Sequence, residues 1–286
     1  MFLNILFNFH TPRLYFSYSI VIIMEEYLNH ARTAQNMGRN GHFPNSVYDL
    51  QKKMEDCREE HKSTLVMLSR HWISHALAKD ANKHSVKIEY TGSSSSKVRD
   101  KRLYADMMRR QEIAWEYALE SIGPEQNYTP KNLATIAQML APYGRYNPNT
   151  GFRVEAVTIT GAPYSPPSPG KLEEDVNTLI ERADHLLTLP KAIFSHYHIA
   201  RIHPFADGNG RTARIIQNAI TCGAGFLPIN TRREQRDLYL SLLAETDKKY
   251  YSGDHDYLHT FSEFLVSNLK TSLKQARNNP LARLLF

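Results

Sequence analysis

The chain has 286 residues, 42% hydrophobic and 22% charged, with a formal net charge of +6. This is ordinary globular usage. A mean hydropathy of −0.48 excludes a polytopic membrane protein. With 13 glycines and 14 prolines the chain is neither collagen-like nor dominated by linkers, and two cysteines, Cys57 and Cys222, exclude a disulfide framework. So few cysteines suit a reducing compartment, and the expectation is a cytoplasmic protein. The basic balance favours anionic partners (phosphates, nucleic acid or an anionic lipid surface) without choosing among them.

Residues 1–24 are apolar but broken by Pro12 and Arg13. Neither half reaches the roughly 20 residues that span a bilayer, and no basic residue precedes Arg13, as a secretory leader requires. Met24-Glu25-Glu26 reads as an alternative start. The stretch is therefore expected to be an over-extended or irregular segment, with a membrane or export element left open. From 48 to 81 mostly apolar residues recur at steps of three and four (Leu50, Met54, Cys57, His61, Leu65, Leu68, Trp72), which predicts helix. His71 and His75 have a zinc-compatible i, i+4 spacing, but no HExxH pattern or cysteine accompanies them, so no metal is expected there. Residues 25–97 thus form an N-terminal helical region.

The serines of 91–96 form a loop able to cap a helix over 98–121, which Gly123-Pro124 stops. Thr129 and Pro130 are the N-cap and first residue of the next helix, with Leu133, Ile136, Ala137 and Leu140 as its apolar stripe and Ala141-Pro142 as its end. Asn147-Pro148-Asn149-Thr150-Gly151 is a turn. Residues 152–160 are β-branched and partly alternating, which predicts a strand. Gly161-Ala162-Pro163 breaks it, and the prolines of 165–170 cannot continue it. Helices are predicted again over 172–187, 191–202, 211–224, 232–246 and 259–269. The fold class is mainly α with one short β element.

Residues 201–214 read Arg-Ile-His-Pro-Phe-Ala-Asp-Gly-Asn-Gly-Arg-Thr-Ala-Arg. A helix ends at His203-Pro204. A loop through Gly208, Asn209 and Gly210 then tolerates positive φ, and a new helix begins near Arg211. Backbone N–H groups at a helix start make an anion site, and Arg211 and Arg214, one turn apart, add two guanidinium forks. Asp207 stands beside this nest as a carboxylate suited to Mg²⁺ bridging phosphates. His203 is near enough to act as a general base on an incoming hydroxyl. The combination describes phosphoryl or nucleotidyl transfer.

The run HPFADGNGRTAR, residues 203–214, resembles the signature of the Fic (Fido-domain) family, H-P-F-x-[D/E]-G-N-G-R-x-x-R, without departure. The likeness extends over about 99–273, making 98–275 the catalytic domain and 276–286 a tail. It implies a Fic/Fido helical core with a short β-hairpin flap. It also implies a protein adenylyltransferase that moves AMP from ATP to a Tyr, Thr or Ser hydroxyl of a target protein. In that reading His203 is the base and Asp207 the Mg²⁺ ligand. Gly208, Asn209 and Gly210 form the anion hole for the α- and β-phosphates. Arg211 meets the β-phosphate, Arg214 the γ-phosphate, and Thr212 and Ala213 complete the nucleotide-binding turn. Phe205 anchors the loop in the core.

Thr158, Ile159, Thr160 and Gly161 resemble the flap, which pairs with the target's extended backbone by strand addition. Tyr239 and Leu240 stand where an aromatic pair near the adenine is common, and Leu240 departs from it. Tyr239 is equally a core residue by pattern. Asp247 stands where an adenine-contacting Asn is common. The segment Ser85-Val86-Lys87-Ile88-Glu89-Tyr90 resembles the family's inhibitory helix, [S/T]-x-x-x-E-[G/N], with Tyr90 in place of Gly or Asn. In such proteins the glutamate, here Glu89, occupies the second arginine of the signature, here Arg214, and ATP is misoriented. Removal of AMP from a target, a Doc-like phosphotransferase and a non-catalytic nucleotide- or DNA-binding regulator remain as other readings. A homodimer is compatible with the resemblance, and nucleic acid is not an expected partner.

Overall fold

In the computed structural model of the chain, residues 43–60, 64–90, 97–122, 128–159 and 161–278 are described. The apolar segment 1–24, the serine loop 91–96, Gly123-Pro124 and Thr160 lie outside them, as does 279–286. The described residues are mainly helical: α1 (Asn45–Glu60), α2 (Thr64–Glu89), α3 (Lys97–Ser121), α4 (Pro130–Leu140), α5 (Leu172–Asp184), α6 (Thr188–Ile202), α7 (Asn209–Gly223), α8 (Arg236–Tyr251) and α9 (His259–Asn278).

The centre of the fold is α6. Its residues from Leu189 to Ile199 are buried on every side, the pattern of a helix enclosed by its neighbours. α7 packs along it and α5 and α1 cover other faces, while α2, α3 and α4 pack on α7. Phe194, Tyr197, Phe205, Tyr239, Phe261 and Leu265 share this core. α6 and α7 are joined by the 203–208 loop, so the loop is carried on the two helices held most firmly.

α4 begins as its sequence predicts. Thr129 Oγ1 accepts from the Asn132 amide at 3.2 Å and Asn132 Oδ1 accepts from the Thr129 amide at 2.9 Å, a reciprocal cap with Pro130 in the first turn. Elsewhere the boundaries shift. The single helix expected over 48–81 is α1 and α2, and α2 runs on to Glu89, so Ser85 to Glu89 is the end of a long helix. The 232–246 helix starts as a 3₁₀ turn, Arg233–Gln235, and continues to Tyr251, and α9 passes the expected domain limit of 275.

α2 is tethered at intervals to the segment that follows α7. Ser74 Oγ donates to Phe226 O at 3.5 Å, Asn230 Nδ2 to Asp80 Oδ2 at 2.8 Å, the Arg233 amide to His84 Nδ1 at 3.0 Å and Arg236 Nε to Ile88 O at 2.9 Å. Inside, Gln111 Nε2 donates to Asn82 Oδ1 at 3.1 Å and so joins α2 to α3.

The strand expected over 152–160 is not formed among the described residues. The β pairing there is an isolated antiparallel bridge between Tyr146 and Arg153. The Asn147 amide donates to Phe152 O at 2.7 Å and the Gly151 amide to Asn147 O at 2.8 Å, closing a tight turn with Gly151 at φ 73°. Beyond Arg153 the chain leaves this bridge, because the Arg153 amide donates instead to Pro204 O at 2.9 Å. A strand needs a laterally bonded neighbour, and the polar groups that would form a ladder are directed to the 203–204 junction. The Ala162 amide donates to Ile159 O at 3.1 Å and Gly161 has φ 83°, and the expected β-hairpin flap is not formed among the described residues.

Candidate functional site

His203 closes α6. Its amide bonds to Ile199 O at 3.0 Å, and its backbone is left-handed, φ 51° and ψ 54°. That turn folds the ring back over the last helical turn, with Nδ1 3.1 Å from Ala200 O. A carbonyl only accepts, so Nδ1 carries the proton and Nε2 presents its lone pair. Burial lowers the imidazole pKa below the ordinary histidine value, and Arg153 adds to the lowering, while the Ala200 carbonyl, Glu89 and Asp207 act the other way. The neutral ring is the form a general base needs.

The loop after His203 closes on itself through Asn209, whose side chain accepts from the Phe205 amide at 2.9 Å and donates to Phe205 O at 2.8 Å. Phe205 is fully buried, its ring 6.0 Å from that of Phe152, and anchors the loop as expected. Gly208 caps α7 at φ 80°, a value that favours glycine. The first intrahelical bond is from the Thr212 amide to Gly208 O at 2.8 Å, so the amides of Asn209, Gly210 and Arg211 open the helix without carbonyl partners in it. They form the anion nest. The Asn209 side chain itself is spent on the loop.

Arg211 is buried between α4 and the loop. Nη1 donates to Leu140 O at 3.3 Å and Nη2 lies 3.4 Å from Asp207 Oδ2. Its Nε and the Thr212 hydroxyl are buried without a hydrogen-bond partner among the described residues. Asp207 is 74% exposed, its Oδ1 accepting from the Gly208 amide at 2.6 Å.

Arg214, 4% exposed, is surrounded by acceptors. Nε donates to Ser85 Oγ at 2.9 Å, Nη2 to Glu89 Oε1 at 2.7 Å and to Ser85 O at 3.2 Å, and Nη1 to Tyr239 OH at 3.3 Å. The expected Glu89–Arg214 pair is therefore present across more than a hundred residues of sequence. Burial by itself would raise the Glu89 carboxyl, but Arg214, with Arg211 and Arg236, overrides it and holds the group below the ordinary glutamate range. A Cβ placed on Gly210 would come within 2.5 Å of Glu89 Oε1. Glu89 thus lies against the start of α7, where an anion is favoured, and Gly210 is what lets it approach. Tyr90 does not displace the helix end: its amide bonds to Val86 O at 2.9 Å and its ring meets Tyr104 edge-on at 5.5 Å.

The residues expected at the adenine, Tyr239, Leu240 and Asp247, all lie on α8. Tyr239 is buried beneath Arg214. Because the arginine can only donate, the Tyr239 hydroxyl proton goes to His196 Nε2 at 2.9 Å, and His196 Nδ1 donates to Gln217 Oε1. Burial pushes the His196 pKa down to about 3, so it stays neutral. Tyr239 supports Arg214 from the core. Leu240 is 41% exposed on α8. Asp247 is buried and accepts from Tyr197 OH at 2.8 Å, and no hydrogen bond among the described residues links it to the 203–214 loop. Thr158 is exposed and Ile159 half-buried. Cys222 is a partly buried residue of α7 whose thiol burial pushes up to about 11.

The Fic/DOC family model matches residues 127–221. That segment is similar to a Fic domain. It holds α4 to α6, α7 up to Thr221, the bridge at Arg153 and the whole 203–214 loop. Two curated relatives, both named protein adenylyltransferase Fic, extend the likeness. One, from Nematostella vectensis, is 35% identical over 109 residues, covering 36% of this chain and 26% of that protein. The other, from Drosophila virilis, is 30% identical over 143 residues, covering 46% and 28%. This chain therefore spans about a quarter of the length of the relatives it matches. A Fic domain containing signaling protein from Bacteroides thetaiotaomicron superposes with a TM-score of 0.61 at 18% identity, over 82% of this chain and 98% of that one. Fic-1 from C. elegans does so with 0.54 at 19% identity, over 90% and 74%. At such identities the superpositions show the fold, which reaches past the matched segment to the flanking helices.

Arg153, Ser85 Oγ and His196 are polar residues of the site's surroundings to which the spacing of the sequence assigned no contact. Arg153 stood in the sequence as a charge inside an apolar, strand-like run, the mark of a buried group with distant partners.

Proposed function

We propose that the chain is a protein adenylyltransferase held in check by its own Glu89. The observation that carries this reading is the Glu89 carboxylate itself, lying on Arg214 and over Gly210, where a nucleotide phosphate would otherwise sit. His203 Nε2 takes the proton of a target hydroxyl, the hydroxyl oxygen attacks the α-phosphorus, the bond to the β-phosphate bridge breaks and pyrophosphate leaves. AMP remains esterified to the protein. The amides opening α7 and Arg211 hold the negative charge that grows on the phosphates. Arg214 fixes the γ-phosphate once Glu89 has left it, aligning the α-phosphate for in-line attack.

The donor set fits Mg²⁺. A single exposed carboxylate, Asp207, beside an anion nest suits an ion that shares its shell with phosphate oxygens and water; bound there, it would neutralise phosphate charge. The target protein would dock along 158–161. Because Glu89 keeps a partly exposed carboxylate, it is also the group that would orient a water for the reverse reaction, removal of AMP.

Incubation of wild type and Glu89→Gly with α- and γ-labelled ATP tests the reading. Transfer of the α-label, enhanced in Glu89→Gly, supports it. Transfer of the γ-label shows phosphotransfer of the Doc kind, and no covalent label in either protein leaves a binding module.

A further inference from the structure

His203 is, among the described residues, the single non-glycine residue with positive φ. Such a conformation persists only where the surroundings over-determine it. The following residue, Pro204, has no N–H, so the handles of the 203–204 junction are its two carbonyls. Both are held by one residue. Arg153 Nε donates to His203 O at 2.8 Å, and the Arg153 amide donates to Pro204 O at 2.9 Å. The guanidinium also donates through Nη1 to Glu155 O at 2.7 Å and through Nη2 to Pro167 O at 2.6 Å.

Arg153 is 2% exposed and has no carboxylate within ion-pair distance among the described residues. An unpaired buried charge is costly, so simple ion pairing does not account for it. What the side chain offers is a rigid planar fork that addresses carbonyls of three separate chain segments at once, a task for which lysine is no substitute. The left-handed turn is what brings His203 Nδ1 over Ala200 O, and that contact leaves Nε2 with its lone pair outward.

We propose that Arg153 is a positioning residue for catalysis: it clamps the 203–204 junction and thereby sets the ring orientation and tautomer of His203. The inference rests on His203 acting as the base. Through Glu155 and Pro167 the same side chain ties both ends of the 155–167 excursion to the base, so the segment expected to dock the target and the group that deprotonates it share one anchor.

The test uses the full chain carrying Glu89→Gly, with Arg153→Lys and Arg153→Met added separately. Lysine keeps the charge and loses the fork; methionine keeps the stem and loses both. We expect kcat for AMP transfer per active site to fall about 10²-fold in both, the scale of a misplacement of about 1 Å, with KM for ATP unchanged, because the phosphate nest does not involve Arg153. Lysine is expected not to rescue. Independently of activity, NMR titration of the His203 imidazole in Arg153→Lys should show its pKa moving up toward the ordinary histidine value, since the charge is retained and the burial that lowers it, a larger effect than the Ala200 contact that raises it, is released with the geometry. An unchanged kcat and an unchanged His203 titration would overturn the proposal. So would a loss of active fraction and melting temperature with kcat per active site intact, which marks a purely structural clasp. If the Glu89→Gly parent transfers no AMP, the adenylyltransferase reading fails, and the His203 titration alone then decides whether Arg153 sets the ring. Should Arg153→Met fail to fold, Arg153→Lys carries both measurements.

Discussion

Replacing Glu89 with glycine removes a carboxylate from a guanidinium that has other partners, so the size of the gain can be worked out. The Arg214 end of the pair is 4% exposed and the Glu89 end 39% exposed, at 2.7 Å. A charge-assisted hydrogen bond contributes about 1.5–3 kcal/mol and an exposed ion pair about 0–1 kcal/mol. With one end wet, the working figure is about 1.5 kcal/mol, roughly a tenfold change in the fraction of molecules whose Arg214 is free. A ligand needing that state binds with apparent affinity reduced by the same fraction. Glu89→Gly should therefore raise automodification from α-labelled ATP about tenfold at sub-saturating ATP. Glu89→Gln, which can still accept a neutral hydrogen bond, should fall between. Arg214→Ala in the Glu89→Gly background should lose the gain. Equal labelling of wild type and Glu89→Gly, or a double variant as active as the single, would refute the argument. The pair also has a pH signature. A depressed carboxyl contributes stability that is present above its unfolded pKa and lost as pH falls through the folded value. The melting difference between wild type and Glu89→Gln should thus be constant near neutrality and close only in acid, below the ordinary glutamate range.

Other expectations follow from individual groups. His203→Ala in the Glu89→Gly background should cut AMP transfer by about 10²–10⁴, and calorimetry should find ATP binding almost unchanged. Asp247, buried against Tyr197, is pushed up to about 6, with burial the main cause. A raised acid favours the fold at low pH and ceases to as pH rises through that value. Asp247→Asn, whose carbonyl still accepts from Tyr197, should therefore melt higher than wild type above about pH 6, by up to roughly 3 kcal/mol of stability, and match it below about pH 4. Thermal melts across that range check it. Phe205→Ala should cost about 3–5 kcal/mol in denaturant unfolding, as expected for a fully buried ring that leaves a cavity.

What could be read from the sequence was what is settled by neighbours in the chain. Thr129, Pro130 and Asn132 fix the start of α4 within a single turn. The 205–209 part of the loop is likewise self-contained, with Asn209 closing onto Phe205 and Gly208 opening α7, whereas the 203–204 junction before it is held from outside by Arg153. The Glu89–Arg214 pair could be anticipated only through the resemblance, since nothing in local periodicity connects two residues so far apart. The 152–160 segment misled because its alternation satisfies a strand pattern while its hydrogen bonds are claimed by the 203–204 junction. Tyr239 and Asp247 were placed by position in a motif, but each is turned inward by a partner from α6 or α7: His196 and Arg214 for Tyr239, and Tyr197 for Asp247.

Under the proposal that Glu89 restrains the enzyme, the tethering of α2 has a kinetic meaning. Its stem is bolted to the 226–236 segment at Ser74, Asp80 and His84, whereas Glu89 is its last helical residue, secured by Arg236 on the Ile88 carbonyl. Helix ends open at far lower free energy than packed helices undock. Lifting Glu89 off Arg214 then asks for movement of the final turn alone, at a cost set by its buried Val86 and Ile88, while Ser85 stays on Arg214 and the rest of α2 stays in place as part of the core. The device works like a throttle with a fixed stem and a loose tip. In that reading its idle rate follows the strength of one terminal turn, which substitutions at Arg236 or Tyr90 would tune.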